Sequence, residues 1–285
     1  AIELAKKIES PIISADSRQF YKEMQIGTAA PTLDELNHAK HHFIHHKSVE
    51  DIYNVGAFEK DAIELLDKLF INHNVIIMVG GSGLYIDAIT EGLDYFPEVD
   101  VLIRTSLNDE LNKKGLISLQ KKLKNLDIVS YNTIAIDNPH RVIRALEICI
   151  GTGQPYSSYL NKEKVNRSFR TLSIGLTAER DIIYKRINER VDLMMQEGLL
   201  DEVKNLFKFK DLNSLNTVGY KELFKYLDKD WDLDFAVSEI KKNSRRFAKR
   251  QSTWFKKNNY IRWFDYQYEL KEITDYINEK IQLEV

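Results

Sequence analysis

The chain has one cysteine among its 285 residues, Cys149. That scarcity excludes a disulfide framework and any multi-cysteine zinc site built within one chain. The apolar run Ala145-Leu146-Glu147-Ile148-Cys149-Ile150 marks Cys149 as a small buried hydrophobe rather than a nucleophile. No run of about 18 apolar residues occurs, which argues against a membrane-spanning helix. The opening stretch Ala1-Ile2-Glu3-Leu4-Ala5-Lys6-Lys7 lacks the layout of a signal peptide. Net charge is small, at -2. With 43% apolar and 29% charged residues, the composition is that of a globular protein of one large domain or two modest ones. A reducing cytoplasm, with no membrane partner, fits these absences.

Acid is also missing locally. From Lys241 to Arg262 there are nine Lys or Arg residues and no Asp or Glu. A basic stripe threaded with Phe, Trp and Tyr suits a surface that neutralises phosphates and stacks on unpaired bases. An ordinary amphipathic helix is the competing reading. Val237, Ile240, Phe247 and Trp254 fall at helical spacing, so part of the aromatic stripe is expected to be core.

Ile2, Leu4, Ala5 and Ile8 follow a helical pattern from the first residue, with no Ser, Thr, Asp or Asn before them as a cap. Pro11 to Asp16 then reads as a short strand ending in an acid. Asn74 to Val79 is a continuous apolar run, as in a strand buried on both faces of a parallel sheet. It breaks into Gly80-Gly81-Ser82-Gly83-Leu84-Tyr85, where glycines let backbone amides approach an anion at a helix N-terminus. A helix from about Ala57 to Phe70, with Phe58, Ala62, Leu65, Leu66 and Leu69 on one face, completes a βαβ unit. Helix, strand and an acid at the strand's carboxyl end are the grammar of an α/β nucleotide-binding domain.

From about Glu98 to Asn166 the patterns are mostly helical and charged. Within His140-Arg141-Val142-Ile143-Arg144-Ala145-Leu146-Glu147, one face carries Arg141, Arg144 and Glu147, while Val142, Ala145, Leu146 and Cys149 form another. Arg170 to Leu176 is strand-like again, and Ile182 to Phe209 and Leu223 to Phe255 are helical. The organisation expected is an α/β core, 1–97 and 167–285, with a helical insertion at 98–166.

Several blocks, in this order, resemble the tRNA dimethylallyltransferase (isopentenyltransferase) family. They are Asp16-Ser17-Arg18-Gln19, Ile26-Gly27-Thr28-Ala29, Gly80 to Tyr85 and Arg141 to Glu147. Met195 through Gly198-Leu199 to Glu202-Val203 follows, then Val218-Gly219-Tyr220-Lys221-Glu222 and Arg246 to Phe255. The resemblance runs from end to end. It implies a P-loop-NTPase-like parallel sheet core with an inserted helical domain and a helical C-terminal region. It implies an enzyme that moves a dimethylallyl group from dimethylallyl diphosphate to the N6 amine of the adenosine 3′ of the anticodon in tRNA. Mg²⁺ is implied as the ion on the diphosphate, and the chain is expected to act as a monomer.

Such a transfer needs a base for the amine's proton. Asp16 aligns with the family's catalytic Asp, and a cap on the following turn is its alternative role. It also needs cations at the leaving diphosphate, for which Arg190 is the candidate beside a plain helix charge. The family supplies a G-x-x-x-x-G-K-[ST] loop before the first helix, and this sequence does not contain one. The chain is therefore expected to lack residues found upstream in its relatives, the alternative being a degenerate relative. Extrusion of the target base costs a few kcal/mol that RNA contacts must offset.

The resemblance assigns tRNA contacts to Asp16, Ser17, Arg18, Gln19, Ser82, Arg104, His140, Arg141, Val142, Ile143 and Arg144. It adds Asn216, Thr217, Val218, Gly219, Tyr220 and Lys221, and then Lys249, Arg250, Gln251, Ser252, Thr253, Trp254, Phe255 and Lys256. Charge chemistry agrees for Arg104, Arg141, Arg144, Lys249 and Arg250, whereas Ser82 could equally be a helix cap. The sequence departs from the family at Ala30, where many relatives have Lys, at His45, where Asp is usual, and at Asp137-Asn138-Pro139.

His41, His42, His45 and His46 have a spacing that could ligate zinc on a helix, yet no acid completes the set, so a polar loop is expected. Three other classes remain open: an adenylate isopentenyltransferase acting on free nucleotides, a non-catalytic RNA-binding relative and a small-molecule kinase-like protein. The long basic C-terminal stretch argues against the first and the last.

Overall fold

The computed structural model describes residues 1–160 and 166–282. Residues 161–165, inside the expected insertion, lie outside the described residues.

In chain order the first elements are α1 (Ile2–Lys7), β1 (Ile12–Ser14), α2 (Leu33–His38), β2 (His41–His42), α3 (Val55–Leu69), β3 (Ile77–Val79) and α4 (Gly83–Thr90). Four helices follow, α5 (Val101–Lys114), α6 (Leu116–Leu126), α7 (Ile128–Thr133) and α8 (Pro139–Thr152). The chain then forms β4 (Ile174–Thr177), α9 (Arg180–Gln196), α10 (Leu199–Leu206), α11 (Tyr220–Leu227), α12 (Leu233–Phe255), β5 (Arg262–Asp265) and α13 (Leu270–Gln282). This is a mixed α/β architecture with small parallel sheets and many helices. No helix among the described residues is long and apolar enough to cross a membrane.

Two compact units emerge, 1–90 with 167–285, and 91–166. Their boundary lies at 90/91, against 97/98 in the sequence reading.

In the first unit β1 lies between β2 and β3, both parallel to it, with Ile12, Ile13 and Ser14 opposite Ile77, Met78 and Val79. The apolar run 74–79 forms a strand only at its end. Among the described residues β3 pairs with β1 alone, so its outer edge is open and Val79 stays 39% exposed instead of sealed on both faces. Beneath the sheet, Ile13, Ala15, Phe20, Phe58, Ala62, Leu66 and Ile89 form one core, which explains the apolar face of α3. Asn54 caps α3 by accepting from Ala57 N–H at 3.0 Å.

A second core of this unit joins Leu199, Val203, Leu215, Tyr220, Leu223, Ala236 and Ile240. Each fully buried side chain of this kind contributes roughly 1.5–3 kcal/mol. The two long helical stretches of the sequence are each broken. Gly198, with φ 102°, separates α9 from α10, and Lys229, with φ 67°, precedes the Asp232 cap that starts α12. The uncapped opening of α1 persists, since Ala1 supplies no side-chain hydrogen bond.

The second unit is held by Leu107, Leu119, Leu123, Val142, Ile143, Ala145, Leu146 and Cys149. Glu147 is buried beside this core and takes Arg104 in a two-pronged pair, at 2.9 and 2.6 Å, while Arg144 donates to it at 3.0 Å. These hydrogen bonds hold the Glu147 carboxyl below its ordinary pKa against the opposing effect of burial.

Candidate active site

The carboxyl end of β1 runs directly into Asp16. Arg18 N–H donates to Asp16 Oδ1 at 3.0 Å, and Asp16 N–H donates to Ser14 Oγ at 3.3 Å. The capping role foreseen as an alternative is therefore real, and it fixes the carboxylate at the sheet edge. Burial raises the Asp16 carboxyl above its ordinary 3.8, opposed by the Arg18 N–H and by the charges of Arg190 and Arg18. Arg190, on α9, is thereby coupled to Asp16. It is exposed to solvent yet crowded by protein, and that crowding lowers its pKa against the pull of Asp16.

A cavity of about 750 Å³ opens here, lined by Ser14, Asp16, Gln19, Gly80, Gly81 and Gln251 among others. Three distant segments meet at it. Ser17 donates through its N–H to Ser82 Oγ at 3.1 Å, and the two hydroxyls lie 3.1 Å apart. Ser82 thus ties the glycine loop to the Asp16 loop. Gln251 on α12 donates to the Gly81 carbonyl at 2.9 Å, and Trp254 Nε1 donates to Asp87 Oδ2 at 3.0 Å.

The glycines of the loop make room for protein as well as for any ligand. A Cβ at Gly80 would sit 2.5 Å from the Ala15 carbonyl carbon, and one at Gly83 2.4 Å from the Trp254 ring. Beyond Asp16, Gln19 Nε2 donates to the carbonyls of Thr28 and Ala29 at 3.4 and 3.2 Å. That turn is held from behind by Glu202, which accepts from the amides of Gln25, Ile26 and Gly27 at 2.9, 2.7 and 2.9 Å. Glu202 is the support that sequence reasoning left without a role. One acid on a helix carries no local signal of which backbone it will cap.

The structure brings Asp16, Ser17, Gln19, Ser82 and Gln251 together. Arg104, His140, Arg141 and Arg144 belong to the second unit, where His140 and Arg141 are exposed on the first turn of α8. Several expectations need correction. Val142 and Ile143 are 0% and 3% exposed, because they are the apolar face that packs α8, so their side chains belong to the core. Tyr220 is likewise fully buried, with its hydroxyl on Glu202. Arg104 and Arg144, read as suited to phosphates, are both paired with Glu147 while their side chains stay 47% and 41% exposed.

The neighbouring loop keeps Asn216, Thr217 and Lys221 at least partly exposed, while Val218 packs toward the core. Gly219, at φ 97°, is buried and donates its N–H to Glu222 Oε2 at 2.8 Å, a backbone shape that suits glycine.

On α12 the buried stripe stops at Ile240. Phe247 and Trp254, expected in the core, are 49% and 39% exposed, because the helix runs past the last buried partner. Among the described residues no ion pair engages Lys249, Arg250, Lys256 or Lys257, and Arg250 lies over the Phe247 ring at 5.6 Å. Ser252 and Thr253 face along the same last turns, where Thr253 Oγ1 donates to the Lys249 carbonyl at 2.9 Å, and Phe255 closes the helix half-buried. The histidine segment is a loop only in its second half, where His45 and His46 lie in irregular backbone. His41–His42 is β2, and His46 sits against Phe20, Phe43 and Tyr53 with ring centroids 5.2–5.3 Å away. Burial drives its pKa down to about 4.

Comparison with known proteins matches this frame. The IPP transferase family model matches residues 19–258. A tRNA dimethylallyltransferase of Christiangramia forsetii is 58% identical over 281 residues, spanning 99% of this chain and 93% of the relative. One of Bacteroides thetaiotaomicron is 47% identical over 277 residues, spanning 97% and 90%. The crystal structure of the full-length tRNA isopentenylpyrophosphate transferase from Bacillus halodurans is similar at a TM-score of 0.70 and 36% identity, covering 99% of this chain and 90% of that one. The chain belongs to the IPP transferase family.

Proposed function

We propose that this chain is a tRNA dimethylallyltransferase that prenylates the N6 amine of the adenosine immediately 3′ of the anticodon, with dimethylallyl diphosphate as donor. The supporting observation is the cleft itself, in which a carboxylate with a burial-raised pKa, Asp16, lies at a strand's carboxyl end and is coupled by charge to Arg190. The relatives' names supply the substrate class. In the reaction the N6 lone pair forms a bond to C1 of the dimethylallyl group while the C–O bond to diphosphate breaks. The N6 proton passes to Asp16, and the electron pair of the broken bond leaves on the diphosphate. Arg190 is the chain's cation for that leaving group.

A P-loop-like core is the reading that accommodates a diphosphate beside the parallel sheet. Among the described residues there is no cluster of three His, Cys, Asp or Glu for a metal. Mg²⁺ suits a site of this kind, since it is commonly carried largely by substrate phosphates and water with few protein ligands. Bound there it would neutralise charge on the diphosphate. The exposed Lys249 and Arg250 on α12, Lys256 just past its end, and separately His140 and Arg141 on α8, are the proposed tRNA contacts, and the cytoplasm is the proposed location.

The test offers an unmodified anticodon stem-loop and, separately, AMP as acceptors, with dimethylallyl diphosphate and Mg²⁺. Transfer to the stem-loop is expected. Preference for AMP would point to a free-nucleotide enzyme, and transfer to neither would overturn the reading.

A further inference from the structure

Arg18 stands in the loop of the candidate base, and its sequence context marks it as an RNA contact. The structure uses its side chain differently. Its guanidinium donates to three backbone carbonyls of one distant turn, Asn213 at 3.1 Å, Ser214 at 2.6 Å and Asn216 at 3.5 Å. Its own amide meanwhile donates to Asp16 Oδ1 at 3.0 Å. One residue therefore holds the base with its backbone and the 213–216 turn with its side chain. That turn leads straight into Asn216, Thr217 and Lys221, the exposed candidates next to buried Gly219 and Tyr220. Ser214 is itself pinned from the other side, its hydroxyl donating to the Val49 carbonyl at 2.7 Å.

We infer that Arg18 is a positioning residue that sets the 213–219 turn relative to Asp16, and not a phosphate contact. Three carbonyls arrayed around one group call for the planar, multiply donating guanidinium. A lysine ammonium carries the same charge without that fork. The carbonyl contacts turn the guanidinium's donors inward, leaving fewer of them for a phosphate. Arg18 and Arg190 are the two cations whose charges act on Asp16.

The inference rests on the proposed tRNA reaction for its kinetic arm and on no ligand for its second arm. Arg18→Gln and Arg18→Lys are compared with the parent in stem-loop KM and kcat, in the pH profile of single-turnover transfer, and in the salt slope of stem-loop binding. Expected for Arg18→Gln is a rise in KM of roughly tenfold with an unchanged salt slope, and an acid limb displaced to higher pH as Asp16 loses a neighbouring charge. Arg18→Lys should return the acid limb to the parent's position and leave KM raised.

Hydrogen exchange of free protein should quicken in both variants over 213–219, with the rest of the chain protected as in the parent. A salt slope lower by about 0.7–0.9 in Arg18→Gln, restored together with KM by Arg18→Lys, would make Arg18 a phosphate contact and overturn the inference. Unchanged exchange over 213–219 would overturn it as well. Parent protein that fails to modify the stem-loop would count against the tRNA reading alone, because the exchange arm needs no RNA.

Discussion

The Tyr220 hydroxyl donates a 2.6 Å hydrogen bond to Glu202 Oε1, joining the first turn of α11 to the carboxylate that caps the Gln25–Gly27 turn. Neither residue touches the cleft, yet together they support it. The Tyr220 ring lies so close to Gly27 that a Cβ there would meet it at 2.5 Å, and the Gln25–Gly27 turn leads to the carbonyls that hold Gln19. Burial and the Glu202 charge push the phenol's pKa up, so the tyrosine stays a donor.

Removing the two partners should therefore cost unequal amounts. Tyr220→Phe leaves Glu202 with three amide donors and should lose about 1 kcal/mol of stability. Glu202→Gln turns a donor group toward amides that need an acceptor and should lose roughly 2–4 kcal/mol. Urea unfolding with unchanged m-values checks both. Equal and small losses would mean that the turn does not depend on Glu202.

Acid stability should carry the mark of His46. Its pKa falls from 6.5 to about 4 on burial among aromatic rings. The unfolded chain then takes up a proton below pH 6.5 that the folded chain refuses until about pH 4. Its contribution is therefore present above pH 6.5 and lost as pH falls toward 4, by on the order of 2 kcal/mol after allowance for partial exposure. His46→Phe, which keeps a ring and removes the titration, should flatten that part of the stability–pH curve. A curve of unchanged slope would contradict this origin.

What the sequence revealed follows physical locality. Asp16 at a strand end, the glycine loop and the acid-free stretch 241–262 were legible because each depends on neighbours in the chain. The helix α3 was legible from its spacing, to within two residues at the start. Helical spacing put Val142 on an apolar face with Ala145, Leu146 and Cys149, and all four are buried; burial of Tyr220 and Ile143 was not legible from the resemblance, since a motif names positions and not the direction of side chains. Spacing placed Phe247 and Trp254 in the core, but periodicity gives a face and cannot say where the partner surface ends. The Arg18 fork and the Glu202 cap join residues about 175–200 positions apart, which no local pattern encodes.

The basic end of α12 is the proposed RNA surface. Lys249→Ala with Arg250→Ala should weaken stem-loop binding and lower the magnitude of the salt slope by up to about two, if both neutralise phosphates. Turnover at saturating stem-loop should change far less. Parental affinity together with the parental slope would make this face an ordinary solvated one.

Asp16 is the most direct test of the chemistry. Asp16→Asn keeps the shape and the Arg18 amide contact but removes most of the basicity, so fold and stem-loop affinity should persist. Single-turnover transfer at saturating substrates should fall by roughly 10²-fold or more. A rate equal to the parent's, measured with stem-loop and dimethylallyl diphosphate saturating, would remove Asp16 from the mechanism and contradict the account.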